Sequence, residues 1–233
     1  MLHKGFRIDD YLPTEVLLRI FHDPRQPREK RWAALLALGS KGDGETYAVI
    51  QEALTSPDAQ LRRYALEAMV RHPRAREAEP ALLALLFDLD DHVRQTACKV
   101  CGQLGLESAH DGILQLLKSE SPEIRDVALN TLGHLWREPD FERVFDLYRH
   151  DGRRTVRIAA AKTLRSRASA RTWRKLFGAW SVDREARHRL WSCELASQFG
   201  GRADVPVVRP LLDDRNRNVR IAAERSLRVL TAS

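Results

Sequence analysis

The sequence is poor in the residues that commit a chain to covalent staples or to catalysis. Three Cys among 233 residues is an odd count at no disulfide-framework spacing, which excludes a disulfide scaffold and favours a reducing compartment. Aromatics make up only 7%, and 12 Gly and 10 Pro are too few for a low-complexity chain. No run approaches the roughly 18 apolar residues of a membrane helix. The opening MLHKGFRIDDYLP lacks the apolar core of a signal peptide. A cytoplasmic protein that does not engage a membrane is the expectation. There is no Gly-rich phosphate loop, no HExxH and no GxSxG, so no catalytic residue and no cofactor is expected. The single CxxC, Cys98 to Cys101, has no second CxxC or HxxxH to complete a zinc sphere, and no metal is expected either.

Charge is abundant. Asp, Glu, Lys and Arg make up 30% of the chain, with a net charge of +7 and a pI near 9.7, which favours acidic partners. The total conceals a split. Up to Glu142 there are 18 Lys and Arg against 23 Asp and Glu; from Arg143 onward there are 21 against 9. Such asymmetry concerns fields and partners rather than fold.

The chain also repeats. Aligned on a Val-Arg pair, a marker residue falls at Arg31, Arg62, Arg94, Arg125, Arg157, His188 and Arg220, at intervals of 31 or 32 residues. Three places on stand Ala34, Ala65, Ala97, Ala128, Ala160, Trp191 and Ala223. Four further on stand Leu38, Met69, Cys101, Leu132, Leu164, Leu195 and Leu227. The residue before the marker, the small residue and the later apolar one are spaced i, i+4, i+8, which is one stripe of a helix. A second amphipathic stretch precedes each stripe, with Asp, Ser and Pro between the two, the residue types of helix caps and first turns. Gly39, Gly105 and Gly200 fit helix stops. The period is that of a solenoid, because one helix pair cannot bury its apolar face alone.

The recurring Asp, Val-Arg, Ala and Leu, in register over residues 10–231, resemble short HEAT-like repeats of the type named after phycobilisome lyase subunits. That resemblance implies an all-α, right-handed α-solenoid of about seven helix pairs in a single domain. Its repeats are bounded roughly at 10–40, 41–72, 73–105, 106–136, 137–167, 168–200 and 201–231. The segment before Asp9 falls outside them, a candidate for disorder. The resemblance further implies that the second helices line a concave face, and that the marker arginines pair with loop aspartates to hold successive repeats together.

Function is expected to be that of a non-enzymatic scaffold or adaptor whose concave, basic C-terminal half docks an acidic protein surface or segment. The candidate charged contacts are Lys162, Arg165, Arg189, Arg225 and Arg228, and the candidate anchors are Trp173, Trp180 and Trp191. In the sixth repeat the marker is His188 and the small position holds Trp191, so the helices there are expected to stand further apart. Nucleic acid is the second candidate partner, with DNA-glycosylase chemistry as in one HEAT-like family; Asp183 and Glu194 are the only acids near those tryptophans. A phycobilin-lyase or chaperone subunit is a third candidate. The His-Glu dipeptides of HEAT-type di-iron hydroxylases are missing. The eight His are expected mostly at the surface. Cys98 and Cys101 fall mid-helix, Cys101 at the core position held by Leu or Met elsewhere, and are read as packing, since a redox pair needs a helix N-terminus to lower its thiol pKa.

Overall fold

The computed structural model describes residues 11–232; the segment before Asp9 lies outside them. Among the described residues the chain is helical, with no strand. It divides into two compact units, Met1–Leu135 and Trp136–Ser233. The first carries four helix pairs: α1 (Thr14–His22) with α2 (Arg28–Leu38), α3 (Gly44–Ala53) with α4 (Ala59–Met69), α5 (Glu79–Ala84) with α6 (Asp91–Leu104), and α7 (His110–Leu116) with α8 (Pro122–His134). The second carries three: α9 (Asp140–His150) with α10 (Arg154–Ser166), α11 (Trp173–Trp180) with α12 (Ala186–Phe199), and α13 (Val205–Val208) with α14 (Arg217–Ala232). The expected seven pairs are present, and the architecture is an α-solenoid.

The second helices are the regular ones because their caps and stripes agree. Asp58, Asp90 and Ser121 each accept a backbone N–H of the first turn, which satisfies donors that have no intrahelical partner. The stripes Val93–Ala97–Cys101, Ile124–Ala128–Leu132 and Val156–Ala160–Leu164 are completely or almost completely buried. Several first helices are short. α13 lasts four residues and continues as a 3-10 turn, because Pro210 has no N–H to donate to the Pro206 carbonyl and extend the ladder.

The expected stops are real but differ in kind. Gly105 closes α6 in the left-handed region at φ 61°, where other residues are strained. Gly39 remains right-handed; it is required because a Cβ there would lie 2.3 Å from the Ala68 carbonyl oxygen.

The marker arginines act as joints. The Nη1 groups of Arg62, Arg94 and Arg125 donate to the carbonyls six and five residues earlier, in the loop before their own helix. Arg157 and Arg220 make the first of these bonds. In the sixth pair the residue that makes both is Arg189, to the carbonyls of Asp183 and Arg184 at 2.7 and 3.0 Å. The marker there is therefore Arg189 and not His188. The small position is Ser192, wholly buried, and His188 takes the place held elsewhere by Val93, Ile124, Val156 and Val219. A one-residue shift escaped the period because 31 and 32 both occur.

Two joints extend across repeats within a unit. Arg62 holds Asp88 through Nε and Nη2, both at 2.7 Å, and Arg189 holds Asp214 in the same two-pronged manner. This is the Arg–Asp pairing that the resemblance implied.

Candidate binding clefts of the second unit

In the second unit α12 packs closely along α14, whereas the backbones of α10 and α12 stand apart. The wider spacing was expected, but its cause is different. Trp191 lies two residues beyond the marker; the Arg165 guanidinium sits 4.9 Å from its ring centroid, and it packs on Trp180 and His188. This junction is bridged by exposed side-chain ion pairs, Arg154–Glu185, Arg165–Glu194, Arg171–Glu138 and Lys175–Glu142.

Beneath those pairs lies a buried polar cluster. His188 is 4% exposed and stacks on Trp180. Its Nδ1 approaches Asp183 Oδ2 to 3.1 Å without the alignment of a hydrogen bond. The Tyr148 hydroxyl donates to the same Oδ2, and the Glu185 N–H donates to Oδ1 at 2.7 Å. Burial opposes the Asp183 charge, yet the hydrogen bonds from Tyr148 and Glu185 and the nearby imidazole outweigh it and hold the carboxyl below its ordinary pKa. Burial pushes the Tyr148 hydroxyl up, and its bond to the Asp183 carboxylate raises it further. Trp180 Nε1 is buried with no partner among the described residues.

Tyr148, Asp183 and His188 form one wall of a cleft of about 780 Å3 at the loop end of the fifth and sixth pairs. Its apolar surface comes from Phe145, Ile158, Ala179 and Val182, and its cations are Arg149, Arg154, Arg157, Lys175 and Arg184. Arg154 and Lys175 are paired with acids, whereas Arg149, Arg157 and Arg184 make no ion pair among the described residues.

A second, smaller groove of about 260 Å3 lies on the second-helix face, lined by Lys162, Arg165, Trp191 and Glu194 among others. Glu194 also borders a neighbouring groove that contains Arg225. The fold thus gathers Lys162, Arg165, Trp191 and Arg225 around one carboxylate. Arg228 is exposed near the end of α14.

Four expected contacts are buried, among them Trp191, which at 8% exposed still borders the smaller groove. Trp173 and Trp180 are 1% and 0% exposed and pack inside the unit, so they cannot anchor a partner. Arg189 is consumed by Asp214 and two loop carbonyls. Asp183 and Glu194 are likewise engaged, the latter with Arg165 at 2.7 Å, so neither is a free carboxylate beside an open aromatic pocket. Not every His is at the surface: His72, His110 and His188 are buried. Cys98 and Cys101 are both buried, Cys101 on the core stripe, and burial pushes their thiols up to about 11 and 12. The residues missed in the sequence are Tyr148, Arg157 and His188. The signal was present: an Asp lies six places before Arg94, Arg157 and Arg220, and Asp183 lies six places before Arg189.

Among the described residues no helix is long and apolar enough to cross a membrane, and no group of three metal-binding side chains converges. A family model of HEAT repeats matches residues 46–133, 79–165 and 141–228. No curated protein sequence is significantly similar. Among solved structures, YibA of Escherichia coli is 16% identical with a TM-score of 0.66, over 92% of this chain and 81% of that one. The CpcE–CpcF complex of phycocyanin lyase from Nostoc is 17% identical with a TM-score of 0.58, over 99% and 96%. Kap95p, solved with RanGDP, is 13% identical with a TM-score of 0.59, over 91% of this chain and 34% of that one.

Proposed function

The chain belongs to the family of HEAT repeats, and we propose that it is a non-enzymatic scaffold whose second unit docks an acidic protein partner. The observation that carries this reading is the charge of Trp136–Ser233, with 22 Lys and Arg against 12 Asp and Glu. Lys162, Arg225 and Arg228 are exposed and make no ion pair among the described residues. Uncompensated surface cations steer an acidic partner through long-range attraction, with a salt-sensitive association rate. Arg165 contributes through its contact with Trp191, although Glu194 neutralises part of its charge. Nucleobase excision is not favoured, since Asp183 and Glu194 are both committed to neighbours.

The test is capture from the native host at low salt, comparing the wild type with the triple variant Lys162→Glu, Arg225→Glu, Arg228→Glu. The variant is expected to capture markedly less of the partner, and added salt is expected to release it from the wild type. A partner captured equally well by the variant at low salt contradicts the reading.

A further inference from the structure

We propose that the loop-end cleft of the fifth and sixth helix pairs receives a carboxylate side chain from an acidic peptide segment, and that Arg157 takes it. The proposal rests on the acidic-partner reading above but assigns the anchor to a different place from the second-helix face.

The fold supplies its own comparison. Arg62 and Arg189 each spend Nε and Nη2 on an aspartate from the loop of the following repeat, Asp88 and Asp214. Asp183 is the matching residue for Arg157. Its Oδ2 instead takes the Tyr148 hydroxyl and faces His188, and its Oδ1 takes the Glu185 N–H. Arg157 retains one bond, from Nη1 to the Asp151 carbonyl at 2.7 Å. Its remaining N–H groups have no partner among the described residues, and the side chain lines the cleft. A planar fork of donors matches a carboxylate in two-pronged geometry.

The surroundings narrow the ligand. Arg149 and Arg184 add charge that makes no ion pair among the described residues. Phe145, Ile158 and the 81%-exposed Val182 provide an apolar wall, which suits a short segment that alternates acidic and apolar residues. The cleft's volume is within the range of about 300–1,000 Å3 typical of ligand sites. The fixed Asp183 carboxylate in the wall opposes a phosphate dianion more strongly than a single carboxylate. The ligand is therefore Asp or Glu in a partner's segment.

The experiment titrates the full chain into a dye-labelled peptide of glutamates around one leucine, read by fluorescence anisotropy at low salt. Arg157→Gln is expected to weaken binding by about ten-fold or more, the loss that removing a hydrogen bond to a charged group brings. Val182→Glu, at an exposed position that leaves the fold undisturbed, is expected to weaken it similarly by placing a carboxylate at the mouth. It decides the matter alone if Arg157→Gln does not fold. Replacing the peptide's glutamates with glutamine is expected to abolish binding. Wild-type affinity in Val182→Glu and in a folded Arg157→Gln overturns the proposal, as does binding only when phosphoserine replaces glutamate. If the second-helix triple variant loses the peptide while both cleft variants retain it, the cleft assignment fails and the scaffold reading stands. If no acidic probe binds the wild type, both fail.

Discussion

Arg189 and Asp214 are joined by two parallel hydrogen bonds, Nε to Oδ2 at 2.6 Å and Nη2 to Oδ1 at 2.9 Å, with only 6% and 7% of the two side chains exposed. A buried pair of this kind is expensive to break from one side because the surviving charge stays desolvated. Asp214→Ala is expected to destabilise the protein by about 3–5 kcal/mol, measured by urea unfolding.

The same pair sets an acid limit. The hydrogen bond from Arg189 lowers the Asp214 pKa more than burial raises it. A folded pKa below the unfolded one means that the stabilisation is fully present above the ordinary carboxylate value of about 3.9. It is lost as pH falls through the folded pKa. The wild-type unfolding midpoint is expected to drop on acidification through this window, and Asp214→Asn to drop less steeply. Parallel profiles would remove Asp214 as a cause.

His188 occupies the position held by Val93, Ile124, Val156 and Val219 in four other repeats, and its Nδ1 has no aligned hydrogen bond. Tyr148 and Glu185 still satisfy Asp183 without it. His188→Val is therefore expected to stabilise the fold by about 1 kcal/mol, read as a raised urea midpoint. A marked loss would show that the imidazole contact with Asp183 is a working bond.

Two glycines are expected to respond in opposite directions. Gly39→Ala places a Cβ against the Ala68 backbone and should cost about 1–3 kcal/mol. Gly178, inside α11, has open space around its missing Cβ, so Gly178→Ala should gain about 0.5–1 kcal/mol from helix propensity. Thermal melts of the two variants check both signs.

Cys98, Cys101 and Cys193 are buried with raised thiol pKa values. None should react with a thiol reagent in the native protein at neutral pH, whereas all should react in denaturant. Rapid native labelling of Cys98 or Cys101 would reopen a redox role for the CxxC.

The fold was legible because the repeat is enforced at several positions at once. A buried stripe, a cap and a joint arginine recur together, so errors in one are corrected by the others. The sixth pair shows where this ends. There Val gives way to His188 and the small position to Ser192, while Trp191 two residues beyond the marker mimicked a broken stripe. Alignment on Asp183 instead of the missing Val restores the register. Burial of Trp173 and Trp180 was not legible, since an aromatic among arginines reads alike on either face of a helix. Nor was the unfilled fork of Arg157: it depends on Tyr148 taking Asp183 from a distance of 35 residues.

The most direct test of the scaffold reading is to titrate the full chain against two polyanions, poly-glutamate and a DNA duplex of similar charge, across a series of salt concentrations. Wild type and the Lys162→Glu, Arg225→Glu, Arg228→Glu variant are compared. Poly-glutamate is expected to bind the wild type at least as tightly as the duplex, to weaken with salt and to bind the variant markedly more weakly. Poly-glutamate affinity unchanged by the three reversals, or a clear preference for the duplex, would contradict the scaffold reading.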